Sequence, residues 1–194
     1  MRSLHASGLV METDIKKNID ANALVIGQIT MQWTTVQVAI SYLFRRLSGL
    51  DPTRADAIFF CIKSDTTQRE MTLALARKVL TPLPELLEKL EKTFDKIGRY
   101  SGERNAAAHA MWVIKWPEGV VIPHPGSSHH RRLKVNDHQK QFDRLLKNLG
   151  SVLNELMLLD TELDKALTQT KTTVIDVRPN TSKGAGKRIV FSKR

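Results

Sequence analysis

The sequence predicts an all-α fold, an antiparallel helical bundle carrying one short β-hairpin insertion and a flexible basic C-terminal tail. Three observations lead there. Apolar side chains recur at helical spacing through several long stretches. Stop and start signals separate those stretches. Only the region after residue 110 changes period. At 194 residues the chain supports one well-cored domain rather than two. The expected organisation is an N-terminal segment over 1–13, a helical domain over 14–170 and a basic tail over 171–194.

Residues 14–48 place Ile26, Ile29, Trp33, Val36, Ile40, Leu43 and Leu47 on one helical stripe. Ser48-Gly49 is a helix stop, and Asp51-Pro52 supplies an N-cap and a first-turn proline for the next helix. That helix carries Ala55, Ile58, Phe59 and Ile62. Asp65 followed by Gln68 reads as a capping box, so a kink or restart is expected there, with helix continuing to Leu80. After Thr81-Pro82-Leu83-Pro84, Leu86, Leu87, Leu90, Phe94 and Ile97 share a face up to Tyr100, and Ser101-Gly102 is expected to interrupt the helix. Residues 111–115 and 120–122 flank Pro117-Glu118-Gly119 and read as a hairpin. From Asn136-Asp137 a last long helix carries Phe142, Leu146, Leu149, Leu153, Leu156, Leu159 and Leu163. Pro179, two glycines and surplus Lys and Arg mark the tail.

Composition narrows the function classes. The chain is 41% hydrophobic and 26% charged, and no apolar run approaches the ~18 residues of a membrane span. Residues 1–12 lack a sustained apolar core, so no secretory signal is expected. Cys61 is the only cysteine and lies between Phe60 and Ile62, which suggests a buried structural thiol and a cytoplasmic protein. The net charge of +10 favours a polyanionic partner. Residues 171–194 hold seven basic and one acidic side chain, so most of that charge belongs to the tail.

The densest chemistry lies in Arg104-Asn105-Ala106-Ala107-Ala108-His109, flanked by Glu103 and Trp112. Arginine grips phosphate with a planar fork of donors, and histidine moves protons near neutral pH. On a helix Asn105 and His109, four apart, share a face. Arg104 and His109, five apart, diverge by about 140°. They converge if the Ser101-Gly102 break puts Arg104 at a helix start, where backbone N–H groups also meet an anion.

This run resembles the signature of the HEPN superfamily (higher eukaryotes and prokaryotes nucleotide-binding), an Arg, a polar residue, a short spacer and a His on an all-helical bundle. The likeness extends over about residues 20–165, with detailed matching over 103–112. It implies a metal-independent endoribonuclease acting as a homodimer, with no cofactor, of a toxin or defence type. His109 would act in proton transfer at the ribose 2′-OH or the leaving 5′-oxygen, Arg104 would hold the scissile phosphate, and Asn105 would orient either. The products would be a 2′,3′-cyclic phosphate and a 5′-OH. Met111 stands where one toxin branch carries tyrosine, so control through that tyrosine is not implied.

Around this core, Glu103 is a candidate partner for Arg104, and Trp112 a candidate base-stacking surface. Arg99 and Tyr100 are candidates to line the same cleft. Arg131 and Arg132, in the basic run from His129 to Lys134, are candidates for the RNA backbone. His124, His129, His130 and His138 lack a Cys pair or a His-Glu-x-x-His frame, so no metal site is expected and a solvated loop is read instead. The expected partners are RNA, a second copy of the chain and an antitoxin or regulatory protein, with no membrane. Two alternatives stand beside the nuclease: a non-catalytic RNA- or protein-binding module of the same fold, and a helical interaction protein docking an acidic partner.

Overall fold

The computed structural model describes residues 3–128, 132–133 and 137–173, with side chains described over 14–128, 132–133 and 137–168. Helix α1 runs Ser3–Ser48, α2 Pro52–Cys61, α3 Asp65–Val79 and α4 Pro84–His109. Strands β1, Trp112–Lys115, and β2, Val120–Pro123, form an antiparallel hairpin, and α5, His138–Thr173, closes the chain. The fold is all-α with a β-hairpin, as the apolar periodicity predicts.

Helix α1 begins earlier than residue 14. Its 46 residues span about 69 Å at 1.5 Å per residue. It ends at the expected stop, where Gly49 takes φ +64°. Asp51 caps α2, its carboxylate accepting from Arg54 N at 3.1 Å. The expected capping box at Asp65 is not what restarts the chain: Ser64 is the N-cap, accepting from Thr67 N. Gln68 turns back instead, donating through Nε2 to the carbonyls of Phe59 and Ile62. It thereby adds a donor at two carbonyls of the α2 end, one of which, Phe59 O, also accepts the Ile62 N–H at 3.3 Å.

Consecutive helices are antiparallel, whereas α1 and α5 run parallel. The early part of α1 meets the start of α5 at Asn22 and Gln139, and its end meets Asp160 and Asp164 through Arg46. Helix α4 runs against α5, with Lys89 paired to Glu162 and Lys96 to Glu155. It also runs against α3, with Arg77 paired to Glu91 at one end and Asp65 to Arg104 at the other. The core between them holds Ile29, Val36, Ile40 and Leu43 of α1, Phe59 of α2, Leu90 and Ile97 of α4, and Leu149, Leu156 and Leu163 of α5, all fully buried. Burial of this kind supplies the main driving force for the bundle.

The hairpin rests on the first half of α1, where Asn18 donates to the carbonyl of Gly119 at 3.1 Å. Among the described residues, no helix is long and apolar enough to cross a membrane. Cys61 is exposed, contrary to the reading of a buried thiol. It closes α2 two positions beyond buried Phe59, a rotation of about 200° that carries it away from the core. The tail beyond Thr173 and residues 129–131 lie outside the described residues.

Candidate functional site at the end of helix α4

Helix α4 continues unbroken through Ser101-Gly102 to His109, which overturns the expected interruption. A glycine inside a helix costs about 1 kcal/mol relative to alanine. Buried anchors on both sides, Ile97 and Ser101 before it and Ala106 and Ala107 after it, offset that cost. The chain leaves helical geometry only at Ala110, whose N–H closes the last turn on Ala106 O. Arg104 therefore does not open a helix, and no ring of backbone N–H groups surrounds it. Its direction is the one a continuous helix gives, about 140° away from His109.

That direction takes Arg104 onto α1 and α3. Its Nη2 donates to Asp65 Oδ2 at 3.0 Å, and its Cζ lies 4.8 Å from the centroid of the Trp33 indole. The same Asp65 oxygen accepts Trp33 Nε1–H at 3.1 Å. Glu103, the expected partner of Arg104, is displaced from that role by Asp65, because successive helix positions are about 100° apart and face different neighbours.

A second guanidinium lies close by. Arg69 is buried on α3 and donates through Nη2 to Thr66 Oγ1. Burial lowers its proton affinity from the ordinary arginine value; Asp65 and Glu70 act in the opposite sense, and Arg104 adds to the lowering. Burial likewise lowers Arg104, with Asp65 opposing. Among the described residues, Arg69 Nη1 and Arg104 Nε are buried without an acceptor. Two partly buried cations thus lie near one carboxylate, Asp65, which pairs directly with Arg104.

The other face of α4 carries Asn105, half-buried, and His109, exposed, one turn apart. Arg132 reaches that face: its Cζ lies 3.3 Å from where a β-carbon on Gly102 would stand. Arg132 is held on its C-terminal side, by Leu133 buried in the core and by Gln141 Nε2 donating to its carbonyl at 2.9 Å. Gly102 and His109 are seven positions apart and only about 20° from eclipsed.

Trp112 opens β1, inside the stretch read as a hairpin, and its half-buried ring packs against His138 and Phe142 at 5.5 and 5.8 Å. It also lines a cleft of ≈ 550 Å³ with Ile19, Asn22, Ile26 and Trp116. His138 is buried at the start of α5, not solvated in a loop, because this packing against Trp112 covers it. Arg99 is exposed and Tyr100 is half-buried against the core. Arg131 lies outside the described residues. Among the described residues, no three His, Cys, Asp or Glu side chains gather as metal ligands.

The structure thus brings Asn105, His109 and Arg132 to one face and turns Arg104 to the next. Sequence reading missed Asp65, Arg69 and Trp33 as companions of Arg104. Trp33 gave one usable signal, since a tryptophan within a core stripe needs an acceptor for its N–H. No model of a known protein family, no curated protein and no solved structure matches this chain.

Proposed function

We propose that the chain is a metal-independent endoribonuclease of HEPN type, cytoplasmic and homodimeric, that cleaves RNA by attack of the ribose 2′-OH. The observation that carries this reading is the placement of the Arg-Asn-Ala-Ala-Ala-His run. It forms the last turns of a continuous bundle helix, with His109 exposed at the end and Asn105 one turn behind it on the same face. In this reading His109 takes the proton from the 2′-OH or gives one to the leaving 5′-oxygen. Asn105 orients the imidazole or the phosphate.

Arg104 acts from beneath as a positioning residue. Clamped by Asp65 and stacked on Trp33, it fixes the end of α4 that carries Asn105 and His109. A strand bound there forms a 2′,3′-cyclic phosphate as the P–O5′ bond breaks, and the 5′-oxygen leaves with a proton. The substrate must be RNA, because the nucleophile is the 2′-hydroxyl.

The test is cleavage of end-labelled RNA by the full chain in EDTA, beside an all-DNA strand of the same sequence and the His109→Ala protein. Expected are cyclic-phosphate ends on RNA, intact DNA and loss of cleavage in the variant. RNA bound but uncut would replace the nuclease with a non-catalytic binding module. Indifference to RNA, with an acidic protein co-purifying, would replace both with an interaction protein. Light scattering of the purified chain tests the homodimer.

A further inference from the structure

We infer that Arg132, seated on Gly102, is the phosphate-holding cation of the His109 face. The inference rests on the RNA reading above and supplies what that reading lacks, a guanidinium on the same side of α4 as the imidazole. Arg104 is committed elsewhere, to Asp65 and to the face of Trp33. Arg132 is exposed, and Asp65, the carboxylate that restrains Arg104, lies on the other side of the helix.

Its place is built. Leu133 anchors the chain in the core, Gln141 holds the Arg132 carbonyl, and the missing side chain of Gly102 leaves the hollow that the guanidinium fills. A β-carbon there would collide with Nη1. Gly102 therefore leaves room for the close approach of Arg132, and a side chain at 102 would make the flexible guanidinium shift. Two turns on, about 10 Å along the axis, His109 projects from almost the same direction. A strand laid along this face puts one phosphate on Arg132 and a nearby one at the imidazole. A planar fork of donors suits that contact better than a lysine does.

The experiment is binding of a fluorescent 2′-O-methyl RNA strand, which has no free 2′-hydroxyl and is not cut, by the full chain over a range of salt. Arg132→Ala is expected to weaken binding about tenfold and to lower the salt slope by about one. Gly102→Ala is expected to weaken binding similarly by pushing the guanidinium off the helix, while its melting temperature holds or rises. The double variant is expected to bind no worse than Arg132→Ala alone, because both changes remove the same contact.

Arg132→Ala and Gly102→Ala proteins binding within twofold of wild type would overturn the inference. So would losses that add in the double variant, or a wild-type chain that does not bind the strand. Arg132-dependent binding with natural RNA left uncut would sink the nuclease reading and leave this one standing. Cleavage with unchanged binding in Arg132→Ala would do the reverse.

Discussion

Arg104 donates to Asp65 at 3.0 Å, and this pair ties the last turns of α4 to the first residue of α3. The accepting oxygen also takes the indole N–H of Trp33, so one carboxylate joins three helices. Asp65→Ala strands the N–H donors of both partners. The side chains of Arg104 and Asp65 are 18% and 31% exposed, so water softens the loss. The expected destabilisation is about 1–2 kcal/mol in urea unfolding. An unchanged midpoint would show that the pair does not hold the helix end.

Gln68 gives a sharper test of the α2–α3 joint. Its buried amide serves two carbonyls, Phe59 O at 3.1 Å and Ile62 O at 2.9 Å. Gln68→Met keeps the bulk and removes the donor. It is expected to cost about 1–3 kcal/mol, since Ile62 O loses the amide donor while Phe59 O keeps only the Ile62 N–H. Calorimetric melting checks this, and a midpoint equal to wild type would refute it.

His109 is exposed at the end of α4, so His109→Ala is expected to leave stability within about 0.5 kcal/mol of wild type. The same change is expected to reduce RNA cleavage by ~10²–10⁴-fold, the range that general acid–base catalysis supplies. Circular dichroism and single-turnover cleavage separate the two effects. Full activity in a folded variant would remove His109 from the chemistry.

The hairpin turn has an acid-sensitive pair. The hydrogen bond from Lys115, followed by one from its own backbone N–H, holds the Glu118 carboxyl below the usual glutamate range. A depressed value in the folded state means stabilisation that is present above the ordinary glutamate value and is lost as pH falls through the depressed one. Titration of Glu118 by NMR is expected to give a midpoint below ordinary glutamate. Lys115→Ala is expected to move that midpoint upward; no movement would contradict the pairing seen at 2.9 Å.

Much of the fold was legible because helical burial repeats in sequence. The stripes through Ile29, Trp33, Val36 and Ile40, and through Leu149, Leu156 and Leu163, are buried as their spacing requires. The stop at Gly49 and the N-cap at Asp51 were legible for the same local reason, since turn and cap chemistry depends on neighbours in the chain. Cys61 misled because an apolar run at a helix end says nothing about which residue faces out. Ser101-Gly102 misled in a more instructive way. Its helix-breaking tendency is about 1 kcal/mol, small beside the packing of Ile97, Ala106 and Ala107 on either side.

By itself, then, the chain's order of residues determined the helical class, the hairpin and the run that ends in His109, all of which follow from local periodicity and turn chemistry. Tertiary structure alone decided the company those residues keep. Asp65 meets Arg104 across 39 positions, and Arg132 reaches Gly102 across a hairpin. Such contacts depend on which helix faces lie together, and no spacing within a single helix encodes that.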